Sequence, residues 1–126
     1  MNILLTGGTG LIGSEFIRQY SREHGFTVIS RDALKAKSKL GDNVKIVENV
    51  SSIENFENFD AVINLAGEPI ADKRWTDTQK KKICDSRWDI TSDLVSRINS
   101  CDTPPSVFLS GSAIGYYGNQ GDKLVT

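Results

Sequence analysis

Four glycines near the start of the chain, Gly7, Gly8, Gly10 and Gly13, have the spacing of a phosphate cradle. Gly8, Gly10 and Gly13 satisfy G-x-G-x-x-G, while Gly7, Gly10 and Gly13 satisfy the looser G-x-x-G-x-x-G. In either register one glycine makes a tight turn and another lets the backbone approach a pyrophosphate. Gly13 lets the following helix lie close to a sheet. Thr9, Leu11 and Ile12 fill the turn and the first helical positions, whose free N–H groups can receive phosphate oxygens. A glycine-rich turn without a ligand is the alternative reading. The second chemically loaded stretch is Ser30-Arg31-Asp32. An acid at such a place accepts from ribose hydroxyls, and a base accommodates a 2′-phosphate. Asp32 stands near the distance from Gly13 expected of the acid that selects NAD. Arg31 offers a guanidinium fork, and Ser30 a hydroxyl, to the extra phosphate of NADP. NADP(H) is favoured, because Val28-Ile29 places Ser30 at the tip of a strand. NAD(H) stays open, as does a merely solvated Arg31.

These residues need a scaffold, and the chain supplies one in order. Ile3, Leu4 and Leu5 form an apolar run without alternation, as a strand buried on both faces should. A helix is expected over residues 11–24, ended by Gly25, with Leu11, Ile12, Phe16, Ile17 and Tyr20 at helical spacing. Residues 26–30 read as a strand. Residues 33–43 read as a short polar helix or loop, a solvated connection rich in lysine. Residues 44–47 are the third strand, 52–59 a turn or short helix, and 61–65 the fourth strand, stopped by Ala66-Gly67. After an irregular loop containing Pro69, a helix starts at Thr76 with Asp77 in its first turn, where its charge suits the exposed N–H groups. Ile83, Ile90, Leu94 and Ile98 mark its inner stripe, and Asp102-Thr103-Pro104-Pro105 ends it. Residues 107–110 are the fifth strand.

Strands alternating with crossovers, and no hairpin signal, predict an α/β Rossmann-type parallel sheet of five strands in order 3-2-1-4-5 with flanking helices. The order reverses between strands one and four. A ligand is therefore expected across residues 7–13 and across Leu65, Ala66 and Gly67. Smaller expectations concern single residues. Asp60 is read as a local backbone acceptor and Cys84 as a small buried hydrophobe. Trp75 and Trp88 are read as core or lid packing, or as substrate contacts. Glu68 is a weak candidate for a substrate-facing carboxylate.

Bulk properties bound the alternatives. The chain has 126 residues, 38% apolar and 25% charged, with a formal net charge of −1. That balance offers no basic excess for nucleic acid or for anionic lipid. Two cysteines and a single histidine, His24, signal neither a disulfide framework nor a metal site, and fit a reducing cytoplasm. No apolar run has the length of a membrane span, and the start lacks the pattern of a signal peptide.

The pieces Gly7-Gly8-Thr9-Gly10-Leu11-Ile12-Gly13, Ser30-Arg31, Ala61-Val62-Ile63-Asn64-Leu65-Ala66-Gly67-Glu68-Pro69-Ile70, Arg74-Trp75, Ser86-Arg87 and Ser110-Gly111-Ser112-Ala113-Ile114-Gly115-Tyr116-Tyr117-Gly118 carry a family likeness. Together they resemble the atypical, extended short-chain dehydrogenase/reductases. Within these they resemble the nucleoside-diphosphate-sugar epimerase family of NAD(P)-binding proteins, over its N-terminal part only. The resemblance implies that Gly7, Gly10 and Gly13 form the pyrophosphate turn and that Ser30 and Arg31 select NADP. It implies that Leu65, Ala66 and Gly67 pass along the cofactor's ribose, with Arg87 and Ser110 also at the cofactor. Ser112 is similar to the catalytic serine that donates to the substrate oxygen; the alternative for Ser110 and Ser112 is decoration of a turn. Arg87 stands where broader relatives place an asparagine. The Tyr-x-x-x-Lys pair of such enzymes does not occur; Tyr116 and Tyr117 precede Lys123 at the wrong spacing.

Residues 1–126 are thus expected to be an N-terminal NAD(P)-binding domain lacking the sixth and seventh strands and the substrate-binding part. The expected whole is an NADP(H)-dependent oxidoreductase or epimerase acting on a small molecule, such as a sugar nucleotide. A non-catalytic NADP(H) sensor is the alternative. Residues 1–126 alone are expected to show no turnover, and their uncovered strand edge is expected to favour self-association.

Overall fold

The computed structural model describes residues 1–67, 73–112 and 121–122. Its elements are β1 (Asn2–Thr6), α1 (Leu11–Tyr20), β2 (Gly25–Ile29), α2 (Ala33–Leu40), β3 (Val44–Val47), β4 (Ala61–Asn64), α3 (Asp77–Asn99) and β5 (Val107–Ser110). Single 3₁₀ turns at Val50–Ser52 and Phe56–Asn58 join β3 to β4. The strands form one sheet in the order β3-β2-β1-β4-β5, and every neighbouring pair is parallel. This is the predicted Rossmann-type arrangement. The order follows from right-handed crossovers that run outward from β1 in both directions.

Each face of the sheet has its own core. On one face Ile3, Leu5, Phe26 and Val28 pack with Ile17 of α1. On the other, Leu4 and Val62 pack with Val50, Ile53 and Phe56 of the 3₁₀ segment and Leu94 of α3. The unbroken apolar run of β1 is thereby explained, since successive side chains enter different cores. Leu4 and Leu5 are fully buried, and burial of a side chain of that size is worth about 1.5–3 kcal/mol.

Several expectations need correction. The first helix stops at Tyr20, and the amides of Glu23 and His24 both return to the Tyr20 carbonyl. Gly25 does not end it but opens β2, donating to the Met1 carbonyl at 3.0 Å. An extra rung of the parallel ladder takes the place of another helical turn. The inward stripe of α1 is also narrower than its spacing suggested. Ile17 and Phe16 pack inward, but Leu11 and Ile12 are 88% and 70% exposed. They sit in the first turn, at the edge where β1 ends, rather than over the strands. Trp75 and Trp88 are exposed and belong to neither core. Cys84 is half-buried and likewise outside both cores. Residues 33–43 are more than a solvated connection: Ala36 of α2 is fully buried and Leu40 packs on the first core.

Asp60 is an acceptor as expected, though for a distant strand. Its carboxylate takes the Asn2 N–H at 2.6 Å, while its own N–H donates to the Asn2 carbonyl. Its carbonyl accepts from Ser106, so one residue fastens the starts of β1, β4 and β5. No helix among the described residues is long and apolar enough to cross a membrane.

Candidate functional site

The pairing register sets four strand ends in one row. Ile29 lies opposite Thr6, Thr6 opposite Asn64, and Asn64 opposite Ser110. Ser30, Gly7, Leu65 and Gly111 leave that row, so the predicted segments emerge along one edge of the sheet. Order reverses there between β1 and β4, where ligands of open α/β sheets bind.

The glycine turn is shaped by backbone contact. Gly7 has φ +69°, and a Cβ there would come within 2.6 Å of the Leu65 carbonyl oxygen. A Cβ on Gly13 would meet the Gly7 carbonyl oxygen at 2.5 Å. Neither position admits a side chain without moving backbone. Gly10 closes the turn by donating to the Gly7 carbonyl at 3.0 Å, and its own carbonyl accepts the first helical bond from Ser14. A Cβ on Gly8 would press instead on the Val28 side chain. Gly7, Gly10 and Gly13 therefore make the tight turn, with Gly8 fitting it onto β2. The first-turn amides of α1 receive no side-chain cap, and a helix start of that kind suits an anion. These features fit a nucleotide diphosphate.

At the end of β2, Ser30 extends the ladder by donating its N–H to Val47, and its hydroxyl donates to the Asp32 carbonyl at 3.2 Å. Asp32 is the N-cap of α2, its Oδ1 accepting the Lys35 N–H at 2.9 Å. Arg31 is exposed between them and has no hydrogen-bond or ionic partner among the described residues. Thr9, inside the glycine turn, receives Lys39 Nζ of α2 on its carbonyl at 2.7 Å.

Beneath the row lies a polar network in which sequence reasoning gave roles to Ala66, Arg87 and Ser110 but none to Thr6, Asn64 or Thr91. Thr6 Oγ1 donates to Asn64 Oδ1 at 2.6 Å and accepts the Ala66 N–H at 3.1 Å. Asn64 Nδ2 donates to Thr91 Oγ1 at 2.9 Å and to Ser110 Oγ at 3.2 Å. Thr91 in turn donates to the Arg87 carbonyl. Thr6 and Asn64 are almost fully buried, and every amide proton of Asn64 is used. One asparagine thus ties the ends of β1, β4 and β5 to α3. The signal was available: Asn64 interrupts an otherwise apolar strand.

Gly67 leaves β4 under Arg87 of α3, whose guanidinium carbon lies 2.7 Å from where a Cβ would stand. Arg87 Nη1 also donates to the Ile83 carbonyl at 3.2 Å. Ser110 is drawn into the Asn64 network, whereas Ser112, two residues on, is exposed with no hydrogen-bond partner among the described residues. Gly111 between them donates to the Asn64 carbonyl at 2.8 Å. Glu68, Tyr116, Tyr117 and Lys123 lie outside the described residues. Among the described residues no cluster of three or more His, Cys, Asp or Glu is placed to hold a metal. A cleft of about 440 Å³, lined by Thr27, Lys45 and Asn58 among others, lies over β2 and β3 and includes no residue of the glycine turn.

Comparison with known proteins adds independent findings. Residues 3–124 match the description of the NAD dependent epimerase/dehydratase family. The chain is similar to protein Rcp of Vibrio cholerae, 37% identical over 117 residues that cover 90% of this chain and 57% of that protein. It is similar to epimerase family protein YfhF of Bacillus subtilis, 32% identical across 100% of this chain and 42% of that protein. Its fold superposes on the crystal structure of human epimerase family protein SDR39U1 with NADPH. The TM-score is 0.75 and the identity 29%, over 93% of this chain and 38% of that one. The chain spans about half the length of these curated relatives.

Proposed function

Because this chain belongs to the NAD dependent epimerase/dehydratase family, we propose that residues 1–126 are the NADP(H)-binding domain of a short-chain-type oxidoreductase or epimerase. Gly7, Gly10 and Gly13, with Thr9 and the amides of Leu11 and Ile12, hold the diphosphate. Ser30 and Arg31 hold the 2′-phosphate. Leu65, Ala66 and Gly67 run along the ribose nearer the nicotinamide, with Arg87 and Ser110 at their side. Bound NADP(H) supplies or accepts a hydride at the nicotinamide ring. Ser112 donates to the oxygen on the reacting carbon of a small carbonyl or hydroxyl compound, a sugar nucleotide being the family's suggestion.

One observation carries the choice of NADP(H) over NAD(H). Asp32, the candidate NAD-selecting acid, has Oδ1 taken up by the cap of α2, while the neighbouring Arg31 stands exposed and unpaired among the described residues. Calorimetric titration of the protein with NADPH and NADH tests it. Arg31→Ala is expected to weaken NADPH binding by about 1.5–3 kcal/mol, the worth of hydrogen bonds to a charged group, and to leave NADH unchanged. Equal losses would reduce Arg31 to a positioning role, and a native preference for NADH would return selection to Asp32.

A further inference from the structure

We propose that Lys39, at the far end of α2, is a second reader of the phosphate on the adenosine ribose. The inference rests on the NADP(H) reading above and adds to it a residue the glycine motif does not contain.

The orientation of α2 is fixed at both ends. Asp32 caps its start, and Ala36 and Leu40, one turn apart, face the core. Residues spaced by four share a helix face, so Lys35 and Lys39 fall together on the neighbouring flank. Lys37 turns elsewhere and pairs with Asp42 at 3.4 Å. Lys39 alone of the three crosses to the glycine turn, its ammonium donating to the Thr9 carbonyl at 2.7 Å. That neutral oxygen is its one hydrogen-bond partner among the described residues. An ammonium has three N–H groups, so two remain for a further acceptor.

The position matters because of what lies on either side. Thr6 and Ile29 are paired in the sheet, which sets the glycine turn and Ser30-Arg31 next to one another. Helix α2 leaves from Arg31-Asp32 and brings Lys39 back to Thr9. The glycine turn thus has Arg31 on its β2 side and the Lys39 ammonium on its Thr9 carbonyl. A nucleotide with its diphosphate on the glycine turn places its adenosine ribose toward the end of β2. A phosphate monoester carries close to two negative charges at neutral pH, and one guanidinium balances only one of them. Of the carboxylates beside it, Asp32 caps α2, while Glu48, which follows the Val47 that pairs with Ser30, stays exposed to water, where its charge is screened. A compact charge on a flexible stem can shift from the carbonyl to a phosphate oxygen without moving the helix.

The test titrates the protein, Lys39→Met and Lys39→Arg with two matched pairs of probes. These are NADPH against NADH, and adenosine 2′,5′-bisphosphate against adenosine 5′-monophosphate. Lys39→Met is expected to weaken NADPH and the bisphosphate by about five- to twentyfold, as loss of one partly exposed ionic contact should. NADH and the monophosphate should stay within about twofold, and Lys39→Arg should restore most of the loss. Equal weakening of both members of each pair would overturn the proposal, leaving Lys39 as a clamp on the Thr9 carbonyl. No weakening of either would overturn it too. If the unaltered protein does not prefer NADPH to NADH, the NADP(H) reading itself fails. Should that preference be present and Lys39→Met preserve it, only this inference fails.

Discussion

Ser110 and Ser112 show how two like residues two positions apart receive different tasks. The Ser110 hydroxyl accepts from Asn64 and belongs to the frame. Ser112 is exposed beyond the strand end and has its hydroxyl open among the described residues. A donor of that kind serves catalysis when it meets charge that develops on a reacting oxygen. In a protein that joins these residues to the remaining length of its relatives, Ser112→Ala is expected to lower kcat by about ten- to a thousandfold. Affinity for NADP(H) should hardly move, since the proposed diphosphate cradle is at Gly7, Gly10 and Gly13. Turnover across carbonyl and nucleotide-sugar substrates, paired with fluorescence titration of the cofactor, checks it. A parallel loss of affinity would place Ser112 on the cofactor. Residue type alone did not separate the two serines, because each also reads as a turn residue; the family resemblance assigned them different roles, and the pairing of β5 with β4 adds that Ser110 is held by Asn64.

At the scale of elements, strands were easier to read than what fastens them. The runs around Ile3, Val28, Val44, Val62 and Phe108 are short, apolar and bounded by turn residues, and the strands lie on them within a residue. Helix ends were harder to place, since Gly25 looks like a helix stop until its pairing with Asn2 is known. Asn64 stood out as a polar residue in an apolar strand, but its partners Thr6, Thr91 and Ser110 became visible only with the fold. Its removal should be costly. Asn64→Ala leaves Thr6 and Ala66 with a broken chain of bonds, takes a partner from Thr91 and Ser110, and opens a small cavity. The expected loss is about 2–4 kcal/mol, read as a lower urea midpoint at constant slope. A change below about 0.5 kcal/mol would mean that the network orders the strand ends without stabilising them.

Across the whole molecule the two faces are not equally covered. α1 and α2 lie over the β1–β3 half of one face, and at its other end Val107 and Leu109 of the edge strand β5 are 41% and 56% exposed. An apolar edge strand is a template for pairing with another chain. Self-association that rises with concentration is therefore expected in sedimentation, and Leu109→Lys should suppress it. A monomer over the full range would show that β5 is protected after all. The strand order was legible at this scale because crossover handedness leaves few choices. The contact of Lys39 with Thr9 was not, since it joins two elements by a side chain rather than by pattern. One further consequence follows from Gly7, which rests against the Leu65 carbonyl. The two sides of that contact are far apart along the chain, so a growing chain forms it only after a ribosome has delivered β4. Under the NADP(H) reading proposed above, dinucleotide that binds only the folded chain slows its unfolding and leaves the initial collapse alone.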